Sequence, residues 1–271
     1  MKKFKSIPAI GLGTYPLNGD ECYKAVRMAI DSGYRHIDTA QMYGNEAAVG
    51  RAIEDCGVAR DEMFIVTKVD PGNVSGKRFS TTTRQSISDL GGPVDLLLIH
   101  WPPDDNEFKA TLDRLLTELE NANTKAIGVS NFSTKMMREA HAYTKGRIIC
   151  NQVEFHPLLD QTKVLAVANE LGIVLEAYSP IARGAALKPQ IVQDIAKRLN
   201  CPPSEVVLRW ITQQNVVAIP MTTKIENAVS NLRSIELTLT NEDMLAISSL
   251  GTAHGRTINP SWMSGRWDPT V

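Results

Sequence analysis

Asp38, Tyr43, Lys68 and His100 are side chains of the types that carry out general acid–base chemistry, and each stands at or just beyond the end of a short apolar run. Asp38 closes YRHID with Tyr43 a few residues on, Lys68 closes FIVTK, and His100 closes VDLLLIH with Trp101 after it. Taken singly, each has a plainer reading: a paired structural lysine, a turn or capping aspartate, a hydrogen-bonded core histidine. At the ends of successive parallel strands, however, they would converge on one mouth. The other apolar runs also end in polar groups: Thr14 and Tyr15; Ser130 and Asn131; Asn151, Gln152 and Glu154; Glu176, Tyr178 and Ser179; and, after VVAIP, Met221, Thr222, Thr223 and Lys224.

The elements that must position these groups alternate along the chain. Runs rich in Ile, Val and Leu predict buried strands near 8–13, 34–38, 63–67, 94–99, 125–129, 148–153, 173–177 and 216–219. Between them, apolar residues three or four apart predict amphipathic helices, clearest in 107–121 with Phe108, Leu112, Leu115, Leu116 and Leu119 on one stripe. Alternating strands and helices imply a parallel sheet, because each crossover returns the chain to the same end. Eight such units close into a (β/α)8 TIM barrel, an α/β fold whose active sites lie at the C-terminal strand ends. A doubly wound sheet would open its first helix with G-x-G-x-x-G; the first turn here reads GLGTYPLNGDE. With 271 residues and no Ser/Gly-rich linker, residues 1–271 form a single barrel domain. The segment 251–271 is rich in Gly, Pro, Ser and Trp and lacks periodicity, so it is expected to be loop near the pocket.

Metal chemistry is a competing use of the same residues. His36 and Asp38 form an H-x-D pair on one strand, and His100 lies two strands on. Residues two apart on a strand share a face, but His36 would lie deeper. No further histidine is expected at a matching strand end, His141 and His254 falling elsewhere, so no metal is expected.

The segment DTAQMYGNE (38–46) resembles the D-x-A-x-x-Y-G-N-E signature of the aldo-keto reductases. Lys68 in IVTKV and His100 in LLIHWP match the rest of that family's Asp-Tyr-Lys-His tetrad. GVSNF (128–132), NQVEFHP (151–157) and AYSPIARG (177–184) match further blocks, in order, from about Gly11 to about Leu250. The resemblance implies reduction of a carbonyl by a nicotinamide cofactor, with Tyr43 as general acid. Lys68 would lower the pKa of that phenol from its usual value near 10, Asp38 would hold Lys68, and His100 would orient the carbonyl. It further implies that Ser130, Asn131 and Gln152 hold the nicotinamide carboxamide and that Tyr178 stacks on its ring. Ser179, Ile181 and Arg183 would wrap the pyrophosphate, with Thr14 and Asp38 also at the cofactor. Some members of the fold are non-catalytic regulatory subunits, which is the alternative role.

The chain departs from the family where the adenosine 2′-phosphate of NADP is read. Met221 and Thr222 replace the usual Lys-Ser pair and Asn227 stands where an Arg is usual, while Ser230 and Asn231 stand at the Glu-Asn that normally meets the adenine. Lys224, with Arg183 and Arg233 as helpers, and Thr223 remain for that phosphate. NADPH (NADP) is the expected cofactor, with NADH as the alternative. The connection after His100 is short, and Tyr15, Trp101, Trp262 and Trp267 are expected to line an open pocket beside Tyr43 and His100. Such a pocket suits small polar carbonyl compounds, among them keto-sugar acids. The overall shape resembles the short bacterial 2,5-diketo-D-gluconate reductases.

Composition narrows the rest. Lys and Arg number 29 against 30 Asp and Glu, a net charge of −1, which leaves no electrostatic footprint for nucleic acid or an anionic membrane. Cys22, Cys56, Cys150 and Cys201 form no C-x-x-C pair and are expected to be buried free thiols in a reducing cytosol. No apolar stretch reaches a membrane span, and Pro8, Gly11 and Gly13 interrupt the opening apolar run. A cytoplasmic monomer acting on a small molecule is the expectation.

Overall fold

The computed structural model describes residues 2–268. Eight parallel strands form one sheet: β3 (Leu12–Gly13), β4 (His36–Asp38), β5 (Phe64–Val69), β6 (Leu96–Ile99), β7 (Ile127–Ser130), β8 (Ile148–Glu154), β9 (Val174–Tyr178) and β10 (Val217–Ala218). Each pairs with the next in sequence. Ile10 bridges Ala218 in parallel, the Gly11 amide donates to the Ala218 carbonyl at 2.9 Å and the Ala218 amide to the Ala9 carbonyl at 3.0 Å, so the last strand meets the first and the (β/α)8 barrel closes. Closure removes the sheet edges that an open arrangement would leave unpaired.

Helices cover the outside: α1 (Gly19–Asp31), α2 (Glu46–Glu54), α3 (Gly76–Asp89), α4 (Phe108–Glu120), α5 (Thr134–Tyr143), α6 (Thr162–Leu171), α7 (Gln190–Arg198), α8 (Pro203–Gln213), α9 (Ile225–Arg233) and α10 (Asn241–Ser248). The strand period of two divides the apolar residues between two cores. Leu12, Ile37, Ile65, Leu97, Ile99, Val129 and Leu175 face the helices. Val66, Leu96, Leu98, Cys150, Val174, Val217 and Ile219 fill the barrel interior.

The sequence predicts one strand over 8–13. Instead, β1 (Lys3–Phe4) and β2 (Ile7–Pro8) pair antiparallel, and only Leu12–Gly13 remains in the barrel sheet. Phe4, Ile7 and Ala9 join the interior core, so this small hairpin plugs the N-terminal end. Four free cysteines are present, but only Cys22 and Cys150 are buried; Cys56 and Cys201 are half-buried on the helical layer, where their neighbours leave them some surface. Among the described residues no helix is long and apolar enough to cross a membrane.

Candidate active site

The two halves of the barrel rim carry different residues. The arc β3–β6 brings Tyr15, Asp38, Tyr43, Lys68, His100 and Trp101 together, and the adjoining arc β7–β10 carries Ser130, Asn131, Gln152, Tyr178 and Ser179 and leads to Met221–Lys224.

Asp38 is the last residue of β4, and a short 3-10 turn (Gln41–Tyr43) swings Tyr43 back over it. Lys68 lies in β5 at a position that faces inward, and its side chain has no solvent exposure. Its Nζ lies 2.6 Å from Asp38 Oδ1, donates to the Thr39 carbonyl at 2.8 Å and reaches the Tyr43 hydroxyl at 3.4 Å. Burial alone would push the ammonium down, but Asp38 and the polarisable Tyr43 oxygen outweigh it and leave the Lys68 pKa above its ordinary value. His100, one residue past β6, sits edge-on to the Tyr43 ring at 5.6 Å and stacks with Trp101 at 6.3 Å. Burial and the nearby Lys68 charge drop its pKa to about 3, so the imidazole is neutral at ordinary pH.

Tyr43 corrects one expectation. Lys68 does pull its pKa down, but burial pushes the phenol up more strongly and the Asp38 charge adds to burial, so the net shift is upward. The lysine softens the cost of forming a buried phenolate without reversing it. Thr14 is fully buried and its hydroxyl donates to the Asp38 carbonyl at 2.9 Å; it braces β4 and offers a ligand no surface.

On the second arc, Asn131 is held by three contacts. Its Nδ2 donates to the His100 carbonyl at 3.0 Å and to Ser130 Oγ at 3.1 Å, and its Oδ1 accepts from the Tyr178 hydroxyl at 2.8 Å. Asn131 has φ 63°, a left-handed turn that Asn tolerates better than most residues. Ser179, Ala182 and Arg183 are likewise left-handed, at φ 48°, 47° and 54°, which curls the loop through Ile181 just outside β9. Further round, Thr222 Oγ1 accepts from the Lys224 amide at 3.1 Å at the start of α9. Met221, Thr223, Lys224 and Asn227 are exposed, while Asn231 is buried. Arg233 is not available as a helper: its Nε and Nη2 bind the buried carboxylate of Glu205, with Nε at 3.0 Å. Exposed Ile225, Glu226 and Val229 add no positive charge. The donor set on this arc therefore fits a nicotinamide dinucleotide, and at the start of α9 exposed Lys224 is joined by exposed Lys24 of α1, which lines one pocket with Thr223.

The tail is tied down more firmly than its sequence suggests. Buried Glu154, the last residue of β8, accepts from the Thr257 amide at 2.7 Å, the Thr257 hydroxyl, the Ile258 amide at 3.1 Å and, at 3.0 Å, His156. Bonds from the protein outweigh burial and hold the Glu154 carboxyl below its usual range. Arg266 donates to the Pro102 and Pro103 carbonyls at 3.2 and 2.7 Å. Asp268 accepts from the Thr134 amide at the start of α5. Gly255 passes so close to the Leu158 carbonyl that a Cβ would overlap it. These ties put Trp262 edge-on to Trp101 at 4.8 Å and Trp267 at 6.2 Å, with Arg256 over the Trp267 ring. Trp101, Trp262 and Trp267 thus form one aromatic wall beside His100.

His156, the fourth of the five histidines, lies just beyond a strand end, a place where the sequence predicts none; its bond to Glu154 makes it part of the tail staple. His36 lies below Asp38, with Nε2 3.0 Å from Glu176 Oε1 and Nδ1 3.3 Å from the Pro8 carbonyl. Among the described residues no group of three or more His, Cys, Asp or Glu is placed to hold a metal.

Known proteins resemble this chain in sequence and in fold. The Aldo/keto reductase family profile matches residues 9–252. Methylglyoxal reductase DkgB of Escherichia coli O157:H7 is 39% identical over 267 residues, covering 97% of this chain and 100% of that protein. Glycerol 2-dehydrogenase (NADP(+)) of Saccharomyces cerevisiae is 36% identical, covering 94% and 92% of the two chains. A crystal structure assigned as a 2,5-diketo-D-gluconic acid reductase B superposes with a TM-score of 0.94 at 37% identity, covering 97% of this chain and 95% of that one. The chain belongs to the aldo-keto reductase family.

Proposed function

We propose that this chain reduces small polar aldehydes or ketones to alcohols with NADPH, discriminating only weakly against NADH. The observation that carries the reading is the Asp38–Lys68–Tyr43 contact chain beside neutral His100 at the mouth of the barrel.

Bound reduced nicotinamide supplies the hydride. Tyr43 donates its phenolic proton to the substrate oxygen as negative charge develops there. Lys68 stabilises the phenolate left behind, and Asp38 keeps the ammonium aimed at that oxygen. His100 is neutral, so one ring nitrogen donates a hydrogen bond to the carbonyl without adding a charge. Positioned acid–base groups of this kind contribute about 10²–10⁴ in rate. Ser130, Asn131 and Gln152 would hold the carboxamide, Tyr178 would lie against the ring, and the Ser179–Arg183 loop would take the pyrophosphate through its backbone. The aromatic wall of Trp101, Trp262 and Trp267, with exposed Tyr15 opposite, admits compact substrates, and methylglyoxal and keto-sugar acids fit that description. The names of similar proteins support this class: methylglyoxal reductase, glycerol 2-dehydrogenase and 2,5-diketo-D-gluconic acid reductase. The enzyme acts as a cytoplasmic monomer, where its four free thiols stay reduced.

Titration with NADPH and NADH, followed through tryptophan fluorescence, tests the reading. Both are expected to quench the signal, NADPH at the lower concentration. Binding of neither would defeat it.

A further inference from the structure

Beneath the Asp38–Lys68 pair lies a second close contact between ionisable side chains that the reaction does not use. His36 Nε2 and Glu176 Oε1 are 3.0 Å apart, and both side chains are wholly buried. The other ring nitrogen of His36 lies 3.3 Å from the Pro8 carbonyl. Room for the ring depends on Gly11, since a Cβ there would stand 2.7 Å from His36 Cγ. Burial of a charged pair is expensive unless both members are well partnered, and a barrel interior is more simply filled with branched aliphatic side chains. The pair therefore invites a role in the reaction.

Gln152 connects it to the site. Its Nε2 donates to Asp38 Oδ2 at 2.7 Å and to Glu176 Oε2 at 2.9 Å. An amide placed between two carboxylates has one stable orientation, because the reverse would set its oxygen against both anions. With both N–H groups committed, only the Gln152 oxygen is left to accept a hydrogen bond. Without Glu176, one N–H would be released and the amide would be free to turn about its terminal torsion, which is broad and roughly two-fold.

We propose that Glu176, held by His36, is a positioning residue that locks the Gln152 amide with its nitrogen toward the barrel interior and its oxygen toward the amino group of the cofactor carboxamide. The inference rests on the reading that Gln152 meets the carboxamide. Glu176 touches neither cofactor nor substrate; it acts through Gln152. It also ties that amide to the same Asp38 that holds Lys68, so the carboxamide site and the proton donor share one rigid support.

The test compares two ligands that differ only at the nicotinamide: NADPH and 2′-phospho-ADP-ribose. Glu176→Gln, Gln152→Ala and the double variant are titrated with each. Glu176→Gln is expected to weaken NADPH about tenfold, the size of one charge-assisted hydrogen bond, and to leave 2′-phospho-ADP-ribose unchanged. In the Gln152→Ala background the same change is expected to have no further effect on the ratio of the two affinities. Should Glu176→Gln fail to fold with His36 left unpaired, the His36→Gln/Glu176→Gln variant removes both charges together, and the same selective loss is expected. Equal weakening of both ligands, or of neither, would overturn the proposal and make the pair a structural filling. A Gln152→Ala variant that keeps the full preference for NADPH would instead overturn the reading of Gln152 on which it rests.

Discussion

Lys68 Nζ lies 2.6 Å from Asp38 Oδ1, and neither side chain has more than 3% of its surface in solvent. Such a pair costs desolvation on both sides, and breaking it by removing one partner typically costs about 3–5 kcal/mol because the other charge is stranded. Lys68→Met is therefore expected to lower stability by about that amount in urea denaturation and to abolish turnover. Asp38→Asn/Lys68→Met, which removes both charges, is expected to recover much of the stability and none of the turnover. Equal instability in the single and double variants would mean that the pair is not what the interior is built around.

The pH profile of reduction should show an alkaline limb, and its sign follows from the shifts. His100 stays neutral down to about 3, so it contributes no change between pH 5 and 8. Tyr43 is held above its ordinary value of 10.0 by burial, against the opposing pull of Lys68, so the phenol proposed as proton donor stays protonated throughout the neutral range. The rate of carbonyl reduction at saturating cofactor is expected to be level across the mildly alkaline range and to fall as the pH rises through the Tyr43 pKa. A fall centred near neutrality would assign the proton to another group.

The barrel and the convergence of the four residues were legible because Asp38, Lys68 and His100 end apolar runs, Tyr43 follows a few residues after Asp38, and strand ends of a (β/α)8 barrel meet at one mouth. Burial was not legible. The sequence places a lysine near Tyr43 but does not show how dry the pocket is, so it predicts a lowered phenol pKa where the structure gives a raised one. Arg233 looked free because its partner, Glu205, lies 28 residues away on another helix. The tail has no periodicity to read: Glu154, His156 and Thr257 become a staple only once residues far apart in the chain are packed. The β1–β2 hairpin escaped for a similar reason, since two-residue strands carry no alternation.

That staple has its own pH signature. Hydrogen bonds from His156, Thr257 and Ile258 more than offset burial and keep the folded-state Glu154 pKa below 4.5. A depressed carboxyl stabilises the fold above its unfolded pKa and loses that contribution as pH falls through the folded value. Glu154→Gln is expected to cost about 1–3 kcal/mol near pH 7, with the gap from wild type closing below pH 4.5. It is also expected to speed proteolysis within 251–268. A gap that is constant with pH, or a tail equally resistant, would show that the carboxylate does not hold it.

Cofactor discrimination should respond to the two positions where positive charge is missing. Met221→Lys with Asn227→Arg is expected to raise the NADPH-to-NADH preference by about 10- to 100-fold, the worth of one or two charge-assisted contacts to a dianion. The check is Kd for each cofactor at fixed ionic strength. An unchanged ratio would mean that the 2′-phosphate lies elsewhere than at the start of α9.

Tyr43→Phe tests most directly whether Tyr43 delivers the proton in a nicotinamide-dependent carbonyl reduction, as proposed. The measurement is the rate of nicotinamide oxidation with methylglyoxal as substrate, alongside NADPH binding by fluorescence. The expected result is turnover by the wild type and a fall in kcat of about 10²–10⁴ in the variant, with Kd for NADPH within about twofold. A wild type that binds cofactor without turning over, or a Tyr43→Phe variant that keeps its kcat, would contradict the account.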